Sequence, residues 1–243
     1  MNAAAIDRYG PASVLRLHEL ETPTPEPDQV LIEINTAGVG TWDSEMREGS
    51  WAPPGRPRFP RVLGLDGAGV VVAKGRRVRR VALGARVWAY DYERAGFYAQ
   101  YVAVDASNVG RVPKRLTLQA AGAAAVTGLT AYQGVVDHAE VKRGETVLVF
   151  GATGAVGTLA VQFAASVGAR VIATATGRRA TGGRSLERLL DAVPRGGRVV
   201  YPNGVEPEPE KRRGSACEGT TRPEVRLNSH VIGRVVLAVR RTE

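Results

Sequence analysis

The stretch Val147–Gly157, VLVFGATGAVG, constrains the fold of this 243-residue chain more than any other. Four apolar residues run into the glycines Gly151, Gly154 and Gly157, and the alanine-rich segment Thr158–Gly168 follows with apolar residues at helical spacing. This order predicts a buried strand, a tight turn and a packed helix. The N-terminus of such a helix presents backbone N–H groups and a partial positive charge, and a pyrophosphate is its usual guest.

The turn therefore predicts a dinucleotide site. Its expected contact residues are Gly151, Ala152, Thr153, Gly154, Ala155, Val156 and Gly157.

The residues after the second strand, RVIAT, bear on which dinucleotide binds. Sites that prefer NAD place an Asp or Glu about 20 residues past the glycines, on the ribose hydroxyls. No acidic residue lies between Glu145 and Glu187, and the strand instead ends at Thr174 in the sequence TATGRR. Arg178 and Arg179 can meet a 2′-phosphate as charge-assisted donors, which favours NADPH over NADH. The alternative, that both arginines are solvated loop residues, stays open.

The net charge of +9 is a feature of composition that raises the question of nucleic-acid binding. The arginine clusters at 76–80 and 211–213 have no interleaved aromatic residues, and no nucleic-acid module is legible, so we expect no nucleic-acid partner. No apolar run approaches the ~20 residues of a membrane span. The single cysteine, Cys217, excludes an internal disulfide and a Cys-rich metal site and fits a cytoplasmic setting.

The N-terminal part of the chain is rich in short strands separated by proline and glycine, a pattern typical of a small barrel-like domain. The strand candidates are Ser13–Leu20, Val30–Ile34, Arg61–Gly75, Arg86–Tyr90 and Tyr98–Val104. A short helix is predicted over Thr41–Glu48, capped by Thr41 and ended by Gly49.

After Pro113 the pattern changes to alternating helices and buried strands. A strand, helix and strand in succession predict a βαβ unit and a parallel sheet. The predicted elements besides the glycine turn are helices over Leu118–Ala125, Gly128–Asp137 and Ser185–Val193, strands over Arg170–Thr174, Gly197–Tyr201 and Val231–Val239, and a polar loop over Glu206–Thr221.

Several stretches jointly resemble one family, the medium-chain dehydrogenase/reductase superfamily. They are AGVGTWD (37–43), GLDGAGVVVAKG (64–75), TGLTAY (127–132), GETVLVFGATGAVG (144–157), GARVIA (168–173) and GGRVV (196–200). The resemblance implies an α/β fold class: a GroES-like β-rich domain plus a Rossmann-type parallel-sheet domain. It implies domain bounds of 1–112 for the first part of the GroES-like domain, 113–222 for the NADPH-binding domain and 223–243 for a strand that returns to the GroES-like domain.

Within the superfamily the chain is similar to the zinc-free quinone oxidoreductase branch. Zinc-dependent relatives carry a cysteine at the position matching Gly40 and a His-Glu pair at the positions matching Leu65 and Asp66. None of these ligand types is present, so no zinc is expected. Asp66, in a glycine-rich bend, is interpreted as a turn carboxylate rather than a catalyst.

The resemblance implies hydride transfer from NADPH to a small-molecule quinone or activated enone, and it leaves a homodimer open. It places Thr127 near the nicotinamide. The candidates for the substrate pocket are Trp42, Asp43 and Trp51. For Asp43 an equally good prediction is that it braces the short helix. The two tryptophans can also be anchors of the core or of a loop. The proton donor is not assigned among Tyr90, Tyr92, Tyr98 and Tyr132.

The parallel-sheet domain is shorter than the family pattern. Relatives place a further helix, strand, helix and strand between the positions matching Thr176 and Ser185, and only about three strands are legible after Pro113. Omitted segments, a deletion, or decay to an inactive homologue would each explain this, and the well-formed flanks favour omission or a recent deletion. An inactive or non-enzymatic homologue that binds no cofactor remains the alternative function.

Overall fold

The computed structural model describes residues 1–50, 57–92, 94 and 96–174, and the strands at 198–201, 216–219 and 236–240. The chain divides into two units, which we call the β-rich unit (Met1–Val126) and the parallel-sheet unit (Thr127–Glu243). None of the described helices combines the length and the apolar character that crossing a lipid bilayer requires.

The β-rich unit contains two antiparallel sheets. Its strands are β1 (Asn2–Ile6), β2 (Leu15–Glu19), β3 (Gln29–Ala37), β4 (Arg61–Val62), β5 (Asp66–Lys74), β6 (Arg86–Tyr90), β7 (Tyr101–Asp105) and β8 (Val109–Arg111). One sheet has the order β7-β3-β5-β6-β8 and the other the order β2-β1-β4. Strand β1 had no counterpart among the predicted strands, because its NAAAI sequence has too little apolar bulk to show a period of two.

Alternating apolar residues of the larger sheet form the main core of this unit. Val30 and Ile32 of β3, Val71 of β5, Val87 of β6 and Val104 of β7 are all fully or almost fully buried. The side chains between them point to the other face, as the two-residue period of a strand requires.

The arginine cluster at 76–80 belongs to the connection between β5 and β6. Arg80 donates hydrogen bonds to the backbone carbonyls of Ala106 (2.7 Å) and Val109 (3.1 Å), and Arg77 forms an ion pair with Asp28. Two of its arginines therefore hold neighbouring segments of the same unit.

Helix α1 spans Thr41–Glu48 and ends at Gly49, whose φ of +87° is left-handed, so its predicted bounds are confirmed. The predicted cap is wrong. Gly40 is the N-cap, with extended backbone, and its N–H donates to the Asp43 carboxylate Oδ2 at 2.7 Å. Because Thr41 already has helical backbone, the back-bonding residue is Asp43 in the first turn.

Helix α2 spans Leu118–Tyr132 and is continued by a π-helical turn, Gln133–His138. It is one helix where two were predicted. Gly128, at the predicted break, costs only about 1 kcal/mol in a helix interior, and the alanine-rich turns that precede it favour the helix. Helix α2 crosses the boundary between the two units at residues 126 and 127.

The parallel-sheet unit begins with the predicted βαβ arrangement. Strand β9 (Thr146–Phe150) leads into α3 (Ala155–Val167) and then into β10 (Arg170–Ala173), which pairs in parallel with β9. Val147 and Val149 of β9 pack against Ala160 and Ala164 of α3, and all four are buried.

The remaining strands of this unit correct two predictions. They are β11 (Arg198–Tyr201), β12 (Ala216–Gly219) and β13 (Val236–Arg240), and the sheet order is β10-β9-β13-β11-β12. Strand β12 lies inside the predicted polar loop, and the described strands of this sheet number five rather than three. The predicted helix over Ser185–Val193 lies outside the described residues.

The last strand also differs from its expectation. Residues 223–243 were expected to return to the β-rich domain, but β13 pairs antiparallel with β9 on one side and β11 on the other. The insertion of β13 gives β9 a second hydrogen-bonded neighbour in place of an open edge.

Candidate cofactor and substrate sites

The glycine turn is built so that two of its positions exclude any side chain. Gly151 follows β9 with a φ of +75°, a conformation that glycine adopts without strain. A Cβ on Gly157 would lie 2.1 Å from the carbonyl oxygen of Gly151, far inside van der Waals contact. The N–H of Gly154 donates to the same oxygen at 3.0 Å, which closes the turn.

Helix α3 starts at this turn without a side-chain cap. Its N-cap is Gly154, which has no side chain to accept from the first N–H groups of the helix. Those N–H groups and the helix dipole are therefore available to an anion. The side chain of Val156 lies in the core at 3% exposure, so this predicted contact residue can offer only its backbone N–H. Thr153 and Ala155 are exposed.

Thr174 braces the turn from the end of β10. Its hydroxyl oxygen accepts a hydrogen bond from the N–H of Gly151 at 3.2 Å, and its own N–H donates to the carbonyl of Val149 at 3.1 Å. The threonine thus joins the ends of the two parallel strands next to the first glycine. Arg178 and Arg179 lie outside the described residues, and Thr127 is a half-buried residue of α2.

In the β-rich unit, Asp43 is a buried carboxylate with two donors on one oxygen. Oδ2 accepts from the N–H of Gly40 (2.7 Å) and from the hydroxyl of Tyr98 (2.9 Å), while Oδ1 has no hydrogen-bond partner among the described residues. Burial raises the pKa of Asp43, and its hydrogen bonds to Gly40 and Tyr98 oppose that rise. Asp43 therefore does brace helix α1, as one of its two interpretations holds.

The same contact bears on the proton donor. Burial and the neighbouring Asp43 carboxylate raise the pKa of the Tyr98 hydroxyl, and burial also raises the pKa of Tyr90. A phenol whose proton is held by a carboxylate is a weaker acid than a free one. Tyr98 is accordingly better suited to hold Asp43 than to give up its proton.

Trp42 lies over the glycine that precedes its helix. A Cβ placed on Gly40 would be 2.1 Å from Cε2 of the indole, and Trp42 itself is 4% exposed. The indole belongs to the core cluster that contains Met46 and Leu65. Its position matches the interpretation of Trp42 as a core residue. Trp51 lies outside the described residues.

Asp66 has more structural partners than its interpretation as a turn carboxylate suggests. It begins strand β5, is 3% exposed, and accepts a hydrogen bond at Oδ2 from the backbone N–H of Val126 in α2 at 3.0 Å. Burial raises its pKa to about 7, and the nearby Asp43 adds to the rise. A signal was present in the sequence, since Asp66 is the only charged residue in the apolar, glycine-rich stretch from Leu63 to Ala73.

Comparisons with known proteins agree with this fold. Residues 26–114 match the alcohol dehydrogenase GroES-like domain. The chain is 36% identical to the quinone oxidoreductase of Lama guanicoe over 176 residues, which cover 72% of this chain and 52% of the relative. It is 37% identical to a probable quinone oxidoreductase of Schizosaccharomyces pombe over 172 residues, covering 70% and 50% of the two chains.

A solved structure extends the likeness to three dimensions. The crystal structure of Escherichia coli quinone oxidoreductase complexed with NADPH matches with a TM-score of 0.64 and 26% identity, and the match covers 79% of this chain and 56% of that one. The chain spans about half the length of the curated relatives it matches.

A GroES-like β-rich domain joined to a Rossmann-type unit with a glycine turn defines the class of medium-chain oxidoreductase folds, and the predicted fold class is thereby confirmed. The chain belongs to the medium-chain dehydrogenase/reductase superfamily and is similar to its quinone oxidoreductases. Its Rossmann-type unit is short for that superfamily.

Proposed function

We propose that this chain is a zinc-independent, NADPH-dependent reductase that transfers hydride to a quinone or an activated enone. The observation that carries the proposal is the turn Gly151–Gly157, in which Gly157 leaves no room for a side chain and α3 starts uncapped. A backbone packed this closely lets a pyrophosphate approach the N–H groups at the helix N-terminus.

The preference for NADPH rests on the end of strand β10. The residue there is Thr174, whose hydroxyl accepts from Gly151, and no acidic residue lies between Glu145 and Glu187. A site of this composition lacks the carboxylate that favours the ribose 2′-hydroxyl of NADH. Arg178 and Arg179 follow in sequence and supply the cations that a 2′-phosphate requires.

Independence from zinc is supported by the lack of room for a side chain at residue 40. The matching position in zinc-dependent relatives is a ligand cysteine, whereas here the Trp42 indole lies where even a Cβ would stand. Leu65, at the position of the next ligand, is a core residue with 2% exposure. Among the described residues, no three His, Cys, Asp or Glu side chains are grouped to hold a metal ion. These residues do not fit a zinc ion.

The chemistry left to the protein is positioning. NADPH, when bound, would supply the hydride to the quinone or to the β-carbon of the enone, and a proton would complete the reduction. The glycine turn would hold the pyrophosphate and so position the nicotinamide, and none of the described residues is assigned the role of a strong acid or base. Asp43 and Tyr98 keep helix α1 and the turn before it in place.

A binding titration tests the proposal. Nicotinamide fluorescence is followed as the protein is added to NADPH or NADH, and loss of nicotinamide absorbance is then followed with a simple benzoquinone as acceptor. We expect saturable binding, tighter for NADPH by at least about tenfold, which is ~1.4 kcal/mol. The variant Gly157→Ala should lose binding because its methyl meets the Gly151 carbonyl. Gly128→Ala is the matched control, since a Cβ there finds only Leu159 at 3.9 Å.

A second candidate is an inactive homologue that binds no cofactor. One observation favours it: β13 enters the parallel sheet in antiparallel orientation. The same titration separates the two. Absence of NADPH binding at high concentration would remove the reductase, whereas binding without turnover of any quinone would leave a nucleotide-binding protein.

A further inference from the structure

The buried carboxylate of Asp66 joins three elements of the β-rich unit. It stands at the start of β5, its Oδ2 accepts the N–H of Val126 in α2, and its Oδ1 lies 2.4 Å from the place where a Cβ on Gly38 would be. The backbone adds a further link, since the N–H of Gly38 donates to the Asp66 carbonyl at 3.0 Å.

The contact between Asp66 and α2 lies at the end of the part of that helix that belongs to the β-rich unit. Val126 is the last residue of the β-rich unit, and α2 continues from it into the parallel-sheet unit. Within the β-rich unit this part of α2 lies against the backbone. A Cβ on Gly122 would be 2.5 Å from the carbonyl oxygen of Thr36, and Ala121 is fully buried. Asp66 thus adds a buried polar contact to this tight attachment of α2.

The surroundings of Asp66 disfavour its negatively charged form. Asp43 of α1 is a second buried carboxyl nearby, and Tyr90 stands directly opposite Asp66 in the β5–β6 register and so on the same face of the sheet. Tyr98, bonded to Asp43, is the third titratable neighbour. Helix α2 and the 37–40 turn contain no charged side chain, and no cation pairs with Asp66 within the described residues.

We propose that Asp66 is a proton-dependent latch: its neutral form holds the first turns of α2 on the β-rich unit, and its ionisation loosens them. The physical reason is that burial of a carboxylate is costly when a single N–H, that of Val126, is its donor among the described residues and a second carboxyl is near. Opening of α2 would return Asp66 to water, where the charge is stable. Ionisation therefore favours the open state.

Linkage fixes the size of the effect. The pKa of Asp66 is raised to about 7 in the closed structure, and an exposed aspartate titrates near 3.9. The closed state therefore binds more protons than the open state between these values, so raising the pH favours opening until the closed-state carboxyl is itself ionised. Between about pH 6 and about pH 8 the opening constant should rise roughly tenfold.

Amide hydrogen exchange on the full chain tests the latch without any cofactor or substrate. The protection of peptides covering residues 118–126, corrected for intrinsic exchange, should fall roughly tenfold over that range in the wild type. Asp66→Asn keeps an acceptor for Val126 but cannot ionise, so its protection should not change with pH. Asp28→Asn, which removes an exposed partner of Arg77, is the control and should behave like the wild type.

A second variant keeps the proposal open to refutation if Asp66→Asn does not fold. Asp43→Asn removes the nearby negative charge that helps to raise the pKa of Asp66, so protection should level off at a lower pH than in the wild type. A wild-type protection that does not depend on pH, an Asp66→Asn variant that keeps the dependence, or an Asp43→Asn profile identical to the wild type would each overturn the latch.

Discussion

The hydroxyl of Tyr98 and the carboxylate of Asp43 meet at 2.9 Å, 55 residues apart in sequence. The bond ties the segment before β7 to the first turn of α1, and its acceptor oxygen is the one that also receives the Gly40 N–H. Neither residue type predicts this pairing alone, because the partners come from distant segments of the chain.

Removal of that hydroxyl should cost stability. Tyr98→Phe leaves the buried Asp43 with one donor fewer, and we expect the free energy of unfolding to fall by about 1–3 kcal/mol. Urea unfolding measures it. Tyr101→Phe, in the neighbouring strand, is the control and should stay within about 0.5 kcal/mol of the wild type. Equal effects of the two substitutions would show that the Tyr98–Asp43 bond adds nothing.

The brace at the glycine turn gives a prediction on cofactor affinity. Thr174→Val removes the oxygen that accepts from the Gly151 N–H and keeps the shape of the side chain. The unpaired N–H should weaken NADPH binding by about five- to tenfold, equivalent to ~1 kcal/mol. Thr174→Ser restores an acceptor and should recover most of the affinity. The Kd from nicotinamide fluorescence decides, and a valine variant with wild-type affinity would count against the role of this threonine.

The packing of Trp42 against Gly40 predicts what happens when a metal-ligating cysteine is placed at residue 40. In Gly40→Cys and Gly40→Ala the new Cβ meets the Trp42 indole, so both should lose about 1–3 kcal/mol of stability through overpacking. Thermal unfolding measures the loss, and a zinc titration should show no binding by the cysteine variant above the wild-type level. A stable variant that takes up stoichiometric zinc would contradict the packing described here.

The pH dependence of global stability should be unusual in sign. The pKa of Asp66 is raised above its unfolded value, to about 7. Its contribution to the free energy of unfolding is therefore fully present below about pH 4 and is lost as the pH rises towards 7. The total loss is a few kcal/mol at most. The free energy of unfolding of Asp66→Asn, relative to wild type, should improve between pH 5 and pH 8. If this difference stays constant over that range, Asp66 does not titrate in the folded protein as described.

The parts of the structure governed by local chemistry were the parts that sequence could predict. The strand, turn and helix at 146–167 and the bounds of α1 follow from apolar spacing, glycine conformation and helix ends, all of which act within a few residues. The predicted cap of α1 is wrong because Thr41 is a favoured N-cap residue by type, whereas the backbone places Gly40 at the N-cap and Asp43 in the first turn, where it bonds back to Gly40.

The features that escaped prediction depend on distant partners. Strand β13 is apolar enough for either unit, and its place between β9 and β11 is set by which edges are free. Asp66 reads as a turn residue until β5, β6 and α2 are packed around it, since burial and not spacing gives it a shifted pKa. Asp43 and Tyr98 were each among the candidates, but their pairing could not be foreseen.

The indole over Gly40 also has an evolutionary consequence. A descendant of this chain could gain a metal ligand at residue 40 by one substitution only at a cost in stability, because the site is filled by Trp42. Replacing Trp42 first would empty a buried volume, at a cost of about 3–5 kcal/mol that few proteins can absorb. Either order of change passes through a destabilised intermediate, so Gly40 and Trp42 together oppose the gain of a metal ligand at this position.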